Sequence, residues 1–234
     1  SLRRVDPATG RALARVELPR KLFGEGLALC PEAAAGGTQR LLQLTWREGL
    51  ILAYAPDTLR LLSRHRLRGQ GWGLACKDAE LTLSDGTATL RFLDAQSLAE
   101  TGRTLRVCDG GQPVDRLNEL EWVNGWLLAN VWQEDRIAVI RPDTGQVALW
   151  LDLAPLRHEL SELSGQGSQA AQAEAANGIA FDPKADQGRG ALLLTGKRWD
   201  TVFVTALPER VRRPPEASGG QPLLQMPTAP AKPH

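Results

Sequence analysis

Gly24-Glu25-Gly26-Leu27-Ala28 decides the fold, because it returns along the chain. Gly71-Trp72-Gly73-Leu74-Ala75, Leu117-Asn118-Glu119-Leu120-Glu121 and Ala176-Asn177-Gly178-Ile179-Ala180 are its successors. Aligned on Glu25, Trp72, Asn118 and Asn177, the steps are 47, 46 and 59 residues, and the long step holds the extra segment Arg157 to Ala175. Periods of ~40–50 residues built from several short strands are the signature of propeller blades.

A second element keeps phase with the first. Asp6-Pro7-Ala8-Thr9-Gly10 matches Pro56-Asp57-Thr58-Leu59, Asp94-Ala95-Gln96-Ser97-Leu98 and Pro142-Asp143-Thr144-Gly145. These residue types favour tight turns, and each group lies between two apolar runs, such as Arg136-Ile137-Ala138-Val139-Ile140 and Gln146-Val147-Ala148-Leu149-Trp150. Each therefore reads as a β-hairpin. A plain β-sandwich would need both motifs to stay in phase by chance over four repeats. The expected fold is all-β, a five-bladed β-propeller over residues 1–207. Its first blade is incomplete: Ser1 to Leu18 supplies only a third and fourth strand, and the last blade lacks its outer strand, so an upstream segment is expected to supply the rest. A helix is expected at Leu156 to Leu163, then a loop from Gly165 to Ala175. The Pro-rich tail, 208–234, is expected to be loosely attached.

Composition narrows the function. A net charge of +1 offers no bulk attraction to nucleic acid or to an acidic membrane face. No apolar run approaches the ~18 residues of a membrane span. The three cysteines, Cys30, Cys76 and Cys108, have no metal-ligand spacing, and one disulfide is allowed without being demanded. His65, His158 and His234 lie far apart. Seven of the twelve aromatic residues are tryptophan, a side chain suited to a pocket wall as well as to a core.

In a propeller the inner strands crowd around a channel, so the residues leading into them converge: Glu25, Trp72, Asn118 and Asn177. Residues ending the second strands approach the same rim: Trp46, Asp85, Trp132 and Lys197. A carboxylate, carboxamides, an ammonium and several indoles around one channel suit an active site. Trp122, Trp126 and Trp150 read as packing residues. Arg116 is expected to pair with Glu119 or Asp85, and Glu119 or Glu121 to join neighbouring blades by accepting backbone hydrogen bonds.

Six motifs now stand in order: Phe23-Gly24-Glu25-Gly26-Leu27, Gln70-Gly71-Trp72-Gly73-Leu74, Arg116-Leu117-Asn118-Glu119-Leu120-Glu121, Ala129-Asn130-Val131-Trp132-Gln133, Asn177-Gly178-Ile179-Ala180 and Thr195-Gly196-Lys197-Arg198-Trp199. Together they resemble the glutaminyl cyclases of plant and bacterial type. The resemblance implies conversion of N-terminal glutamine, on peptides or proteins, to pyroglutamate with loss of ammonia. It implies Glu25 as acid/base, Asn118 and Lys197 as further catalytic residues, and Trp46, Trp72 and Trp132 as substrate-binding walls. The family's upstream Phe-Thr-Gln-Gly-Leu motif has no counterpart here. The resemblance also implies a periplasmic or secreted monomer. Burial among indoles is expected to raise the Glu25 pKa. No cofactor is required, because the attack is intramolecular; a structural calcium is compatible. A calcium-dependent propeller hydrolase or lactonase, recruiting Glu25, Asn118, Asn177 and Asp85, would instead lose activity to a chelator. A non-catalytic interaction propeller would keep its function in Glu25→Gln.

Overall fold

A computed structural model describes residues 1–31, 39–163, 175–215 and the short strand Leu223–Gln225. The excursion expected at Gly165 to Ala175 falls, except for Ala175, outside the described residues, as does most of the tail. The chain forms two compact units. One gathers Ser1–Asp85 and Thr89–Thr104, the other Gly86–Ala88 and the chain from Leu105 onward.

Antiparallel meanders build both units. The first contains a two-stranded hairpin, β1 (Leu2–Val5) and β2 (Ala12–Val16). It also contains a four-stranded sheet of β3 (Gly24–Pro31), β4 (Gln39–Thr45), β5 (Leu50–Tyr54) and β6 (Leu61–Arg66). A second four-stranded sheet follows, with β7 (Leu74–Lys77), β8 (Glu80–Leu83), β9 (Thr89–Asp94) and β10 (Glu100–Arg106). In the second unit a small hairpin, β11 (Cys108–Asp109) and β12 (Gln112–Pro113), precedes the meander β13 (Leu117–Val123), β14 (Trp126–Val131), β15 (Arg136–Ile140) and β16 (Val147–Asp152). After helix α1 (Ala154–Leu163) comes the three-stranded sheet β17 (Ala176–Asp182), β18 (Ala191–Gly196) and β19 (Phe203–Ala206). Leu223–Gln225, β20, pairs parallel with β16. The fold is thus all-β with four propeller-type blades, two in each unit. The β1–β2 hairpin stands as a sheet of two strands.

The phased turns are one structure repeated four times. The N–H of Gly10, Leu59, Leu98 and Gly145 donates to the carbonyl four residues earlier, on Asp6, Ala55, Asp94 and Arg141. All four donors have left-handed backbone, with φ of 68°, 56°, 60° and 74°. Leucine resists that conformation, which costs ~1–2 kcal/mol for an L-residue. Leu59 and Leu98 offset the cost by burial, at 2% and 4% exposure. At Gly145 a Cβ would collide with the Arg106 carbonyl, so glycine is required there.

The core of each unit lies between its sheets. In the first, Leu42, Leu44, Ile51, Leu74, Leu81 and Leu83 are sealed from solvent. In the second, Leu156 and Leu160, one turn apart on α1, join Leu128, Val139, Leu192 and Phe203. Asp152 Oδ1 accepts the Ala154 N–H at 2.9 Å and so caps the start of α1. At the chain's far end, Asn124 donates to the carbonyls of Val211 and Arg212, and Trp126 Nε1 to Arg213 at 2.7 Å. Among the described residues no helix is long and apolar enough to cross a membrane.

Cys30 on β3 and Cys76 on β7 form a disulfide, with Cα atoms 5.6 Å apart; Cys108 is free. Its loop spans 46 residues. Closing a loop of that size in the unfolded chain gives ~2–4 kcal/mol of stabilisation. Urea unfolding of Cys30→Ser/Cys76→Ser should show that loss, and an unchanged midpoint would refute it. Glu121, half-buried on β13, is the second stability determinant. Burial pushes its carboxyl up to about 7, against the lowering effect of the Trp122 N–H it accepts. The folded state therefore holds this proton more tightly than the unfolded chain. The resulting stabilisation is complete below the ordinary carboxylate range and is lost as pH rises through about 7. At ~1.4 kcal/mol per pKa unit, the loss between pH 5 and pH 8 is of order 2 kcal/mol. Glu121→Gln should flatten that decline in thermal unfolding; parallel curves for the two proteins would contradict it.

Candidate active site

A β-bulge stands at the head of three inner strands. The register of β3 on β4 slips between Gly24 and Leu27, of β13 on β14 between Leu117 and Leu120, and of β17 on β18 between Ala176 and Ile179. The residues inside the slips are Glu25-Gly26, Asn118-Glu119 and Asn177-Gly178. A bulge frees backbone groups from the ladder and re-aims side chains. One N–H of each pair bonds outside its own ladder. Gly26 N–H donates to the Trp72 carbonyl at 2.8 Å, Glu119 N–H to Asn177 Oδ1 at 3.4 Å, and Gly178 N–H to Asn130 Oδ1 at 3.1 Å. Each bond crosses from one blade to its neighbour within a unit. These three links are made by a carbonyl and two carboxamides. Glu121 accepts from the next residue of its own strand.

Three of the six expected site residues lie in the first unit, tied by one backbone circuit. Trp46 N–H donates to the Phe23 carbonyl at 3.0 Å, Gly71 N–H to the Trp46 carbonyl at 3.1 Å, and Gly26 N–H closes on Trp72. Glu25 sits between the ends of this circuit, half-buried, as are Trp46 and Trp72. Phe23 meets the Trp46 indole edge to face at 6.1 Å, and the Arg47 guanidinium lies 3.9 Å over the same ring. Trp72 N–H donates to the Ser84 carbonyl, and its Nε1 to Gln70. A Cβ on Gly26 would come within 2.6 Å of the Leu74 backbone nitrogen, so only glycine lets β3 and the Trp72 segment approach this closely.

The second unit assembles the other three. Asn118 is buried, at 3% exposure. The Lys197 ammonium lies 4.5 Å from the Trp132 ring centroid, within cation–π range. Trp132 N–H donates to the Arg116 carbonyl at 2.8 Å, which joins the Trp132 turn to the residues before Asn118. Glu134 reinforces that joint by pairing with Arg116 at 2.6 Å and Arg136 at 2.5 Å. Arg116 therefore pairs with Glu134 rather than with Glu119 or Asp85, because the Trp132 turn brings Glu134 to it. Asp85 pairs with Arg91 at 3.5 Å.

Three of the nine left-handed non-glycine residues among the described residues flank Asn118, Trp132 and Lys197. Arg116, Gln133 and Arg198 are non-glycine residues with φ of 61°, 65° and 62°. They stand two before Asn118, one after Trp132 and one after Lys197. Such residues cost ~1–3 kcal/mol each and cluster where side chains must be aimed. Of Trp122, Trp126 and Trp150, expected as packing residues, Trp126 and Trp150 are buried, while Trp122 is partly open like Trp46, Trp72 and Trp132. Asn130 stood in a quoted motif without an assigned role, and it links the two blades of this unit. It is 1% exposed and lies opposite the Asn118 bulge, and it grips Gly178. Among the described residues no group of three His, Cys, Asp or Glu is arranged to hold a metal.

The two triads offer a carboxylate framed by two indoles, and an amide and ammonium framed by a third. By chemical type the first can move a proton, and the second can donate to a developing oxyanion. Comparison with known proteins gives them a context. The model of the glutamine cyclotransferase family matches residues 1–207. A glutaminyl-peptide cyclotransferase of Arabidopsis thaliana is 36% identical over 205 residues, covering 87% of this chain. The chain spans 58% of that relative's length. The crystal structure of Myxococcus xanthus glutaminyl cyclase superposes with a TM-score of 0.73 at 32% identity, covering 86% of this chain and 79% of that one. The chain belongs to the glutamine cyclotransferase family.

Proposed function

We propose that this protein is a glutaminyl-peptide cyclotransferase, an acyl-transfer enzyme that closes the N-terminal glutamine of peptides and proteins into pyroglutamate and releases ammonia. Family membership over residues 1–207 carries the reading. The substrate α-amine, largely protonated near neutrality with a pKa of ~7.7–8.0, first loses a proton to solvent. Its nitrogen then attacks the side-chain amide carbon. A carbon–nitrogen bond forms, the second proton passes to Glu25, and the carbonyl oxygen gains negative charge. Asn118 and Lys197 donate to that oxygen. Collapse breaks the bond to the amide nitrogen, and Glu25 returns the proton to the departing ammonia. Trp46, Trp72 and Trp132 pack on the glutamine stem and exclude the water that would hydrolyse the amide.

The chemistry needs no metal, because the nucleophile is intramolecular and the acid/base is a protein carboxylate; a structural calcium is compatible with it. The β1–β2 hairpin is, in this reading, the outer half of a fifth blade, since its Asp6–Gly10 turn matches the turns of the other hairpins. The Cys30–Cys76 disulfide supports a periplasmic or secreted location, because such bonds persist in oxidising compartments. Residues 1–207 then form the catalytic domain, and 208–234 the tail.

Ammonia release from a Gln-Ala peptide, followed by mass, tests the proposal. Glu25→Gln should lose ~10²–10⁴-fold in kcat with the fold intact. Asn118→Ala and Lys197→Ala should each lose ~10²–10³-fold. Turnover by the folded protein should survive a chelator. Its abolition by chelator would favour the calcium-dependent hydrolase, and full activity in Glu25→Gln would remove the assigned acid/base.

A further inference from the structure

A cavity of about 350 Å³ lies against Trp132 in the second unit, lined by Trp132, Gln133, Asp135, Arg157 and Ala175. Two of these touch Lys197: its ammonium sits over the Trp132 ring, and its backbone N–H donates to the Ala175 carbonyl at 3.1 Å. The cavity therefore shares a wall with the proposed catalytic lysine. Its far side is built from a different part of the chain. Arg157 projects from the first turn of α1, and that turn is hung on the Trp132 turn. Leu153 N–H donates to the Asp135 carbonyl at 2.8 Å, and Arg157 N–H to the Leu153 carbonyl at 3.0 Å. Arg157 Nε stands 3.5 Å from Asp135 Oδ1, and its guanidinium lies 5.8 Å over the Trp199 ring. Gln133, on the cavity wall, is one of the strained left-handed residues.

We infer that this cavity binds the main chain of the residues following the N-terminal glutamine. The inference rests on the cyclotransferase reading for its substrate and goes beyond it in assigning Arg157, Asp135 and Gln133. The lining chemistry selects the ligand. A guanidinium donates, a carboxylate accepts, and a carboxamide does both. A peptide group presents one N–H and one carbonyl per residue, which matches that mixed set. A ligand carrying one sign of charge would be repelled by the like-charged member of the Arg157–Asp135 pair. The volume lies at the low end of the ~300–1,000 Å³ of ligand pockets, which suits a short length of chain. The segment beginning at Arg157 is also what lengthens the repeat step before Asn177 to 59 residues, so the cavity's far wall belongs to an addition to the blade pattern.

Glycine extension isolates main-chain binding, because it adds no side chain. Glutamine amide, Gln-Gly-amide and Gln-Gly-Gly-amide are compared as substrates of the folded protein. The wild type should show KM falling about tenfold from the first to the third, with a smaller change in kcat. Arg157→Ala should shrink that gain to less than about threefold, and Arg157→Lys should restore part of it. Circular dichroism and thermal unfolding check each variant, and Asp135→Asn repeats the test should Arg157→Ala not fold. The matching pyroglutamyl amides, titrated by calorimetry, read the same length dependence without turnover. A protein that binds the longer product more tightly but turns over no substrate retains the subsite and loses the cyclotransferase reading. No gain with length in the wild type, or an equal gain in Arg157→Ala, overturns the subsite.

Discussion

The rest of the site depends on the one-residue slip at the head of the inner strands. Each slip takes a pair of residues out of the ladder: Glu25-Gly26, Asn118-Glu119 and Asn177-Gly178. A backbone N–H removed from its ladder must find another acceptor, since a buried unpaired donor costs ~1–3 kcal/mol. Here each finds one on the next sheet of its unit: the Trp72 carbonyl, the Asn177 carboxamide and the Asn130 carboxamide. One irregularity thus turns a side chain out of the sheet and fastens two blades together. It also dictates composition. Gly26 has the Gly73 and Leu74 backbone against it, and any side chain there would force the two blades apart.

Much of this was legible because it recurs. Tight turns need particular residue types, and four of them in phase with four strand heads mark the hairpins and the inner strands by residue type and spacing alone. What recurrence does not encode is the partner of a group set by local backbone. Arg116 was read as a partner of Glu119 or Asp85, which are near in sequence or in phase. Its partner is Glu134, because Arg116 and Gln133 are both left-handed and the Arg116 carbonyl holds the Trp132 turn. Leu59 and Leu98 were equally opaque. Their counterparts, Gly10 and Gly145, announce a left-handed turn, whereas the leucines reach it through burial that no local signal shows.

The disulfide shows how the repeat could have been used further. By the spacing rules for metal ligands, Cys30 and Cys76 carry no signal. Their separation of 46 residues is the blade period itself. Residues one period apart on consecutive inner strands face each other across neighbouring blades, and β3 does pack on β7. Cys108 follows Cys76 by 32 residues and falls out of phase, between β10 and β13 rather than on an inner strand.

The two triads are stabilised by different means, and this bears on how each tolerates change. Around Glu25 the positioning is done by a hydrogen-bonded circuit and by close approach at glycine, with the left-handed leucines of that unit confined to distant hairpin turns. Around Asn118, Trp132 and Lys197 three strained residues do the aiming, at ~1–3 kcal/mol each. That cost has to be met by contacts that would be lost if the backbone relaxed: Trp132 N–H on Arg116, Glu134 between Arg116 and Arg136, and Trp199 packed at right angles to Phe203. The Trp132 turn is the hub of these contacts, and it also supplies Gln133 and Asp135 to the cavity. A substitution there acts on the amide, the ammonium and the cavity wall together. Arg157 stands on α1, outside that turn, so its substitution tests binding of the peptide chain apart from the chemistry on its first residue.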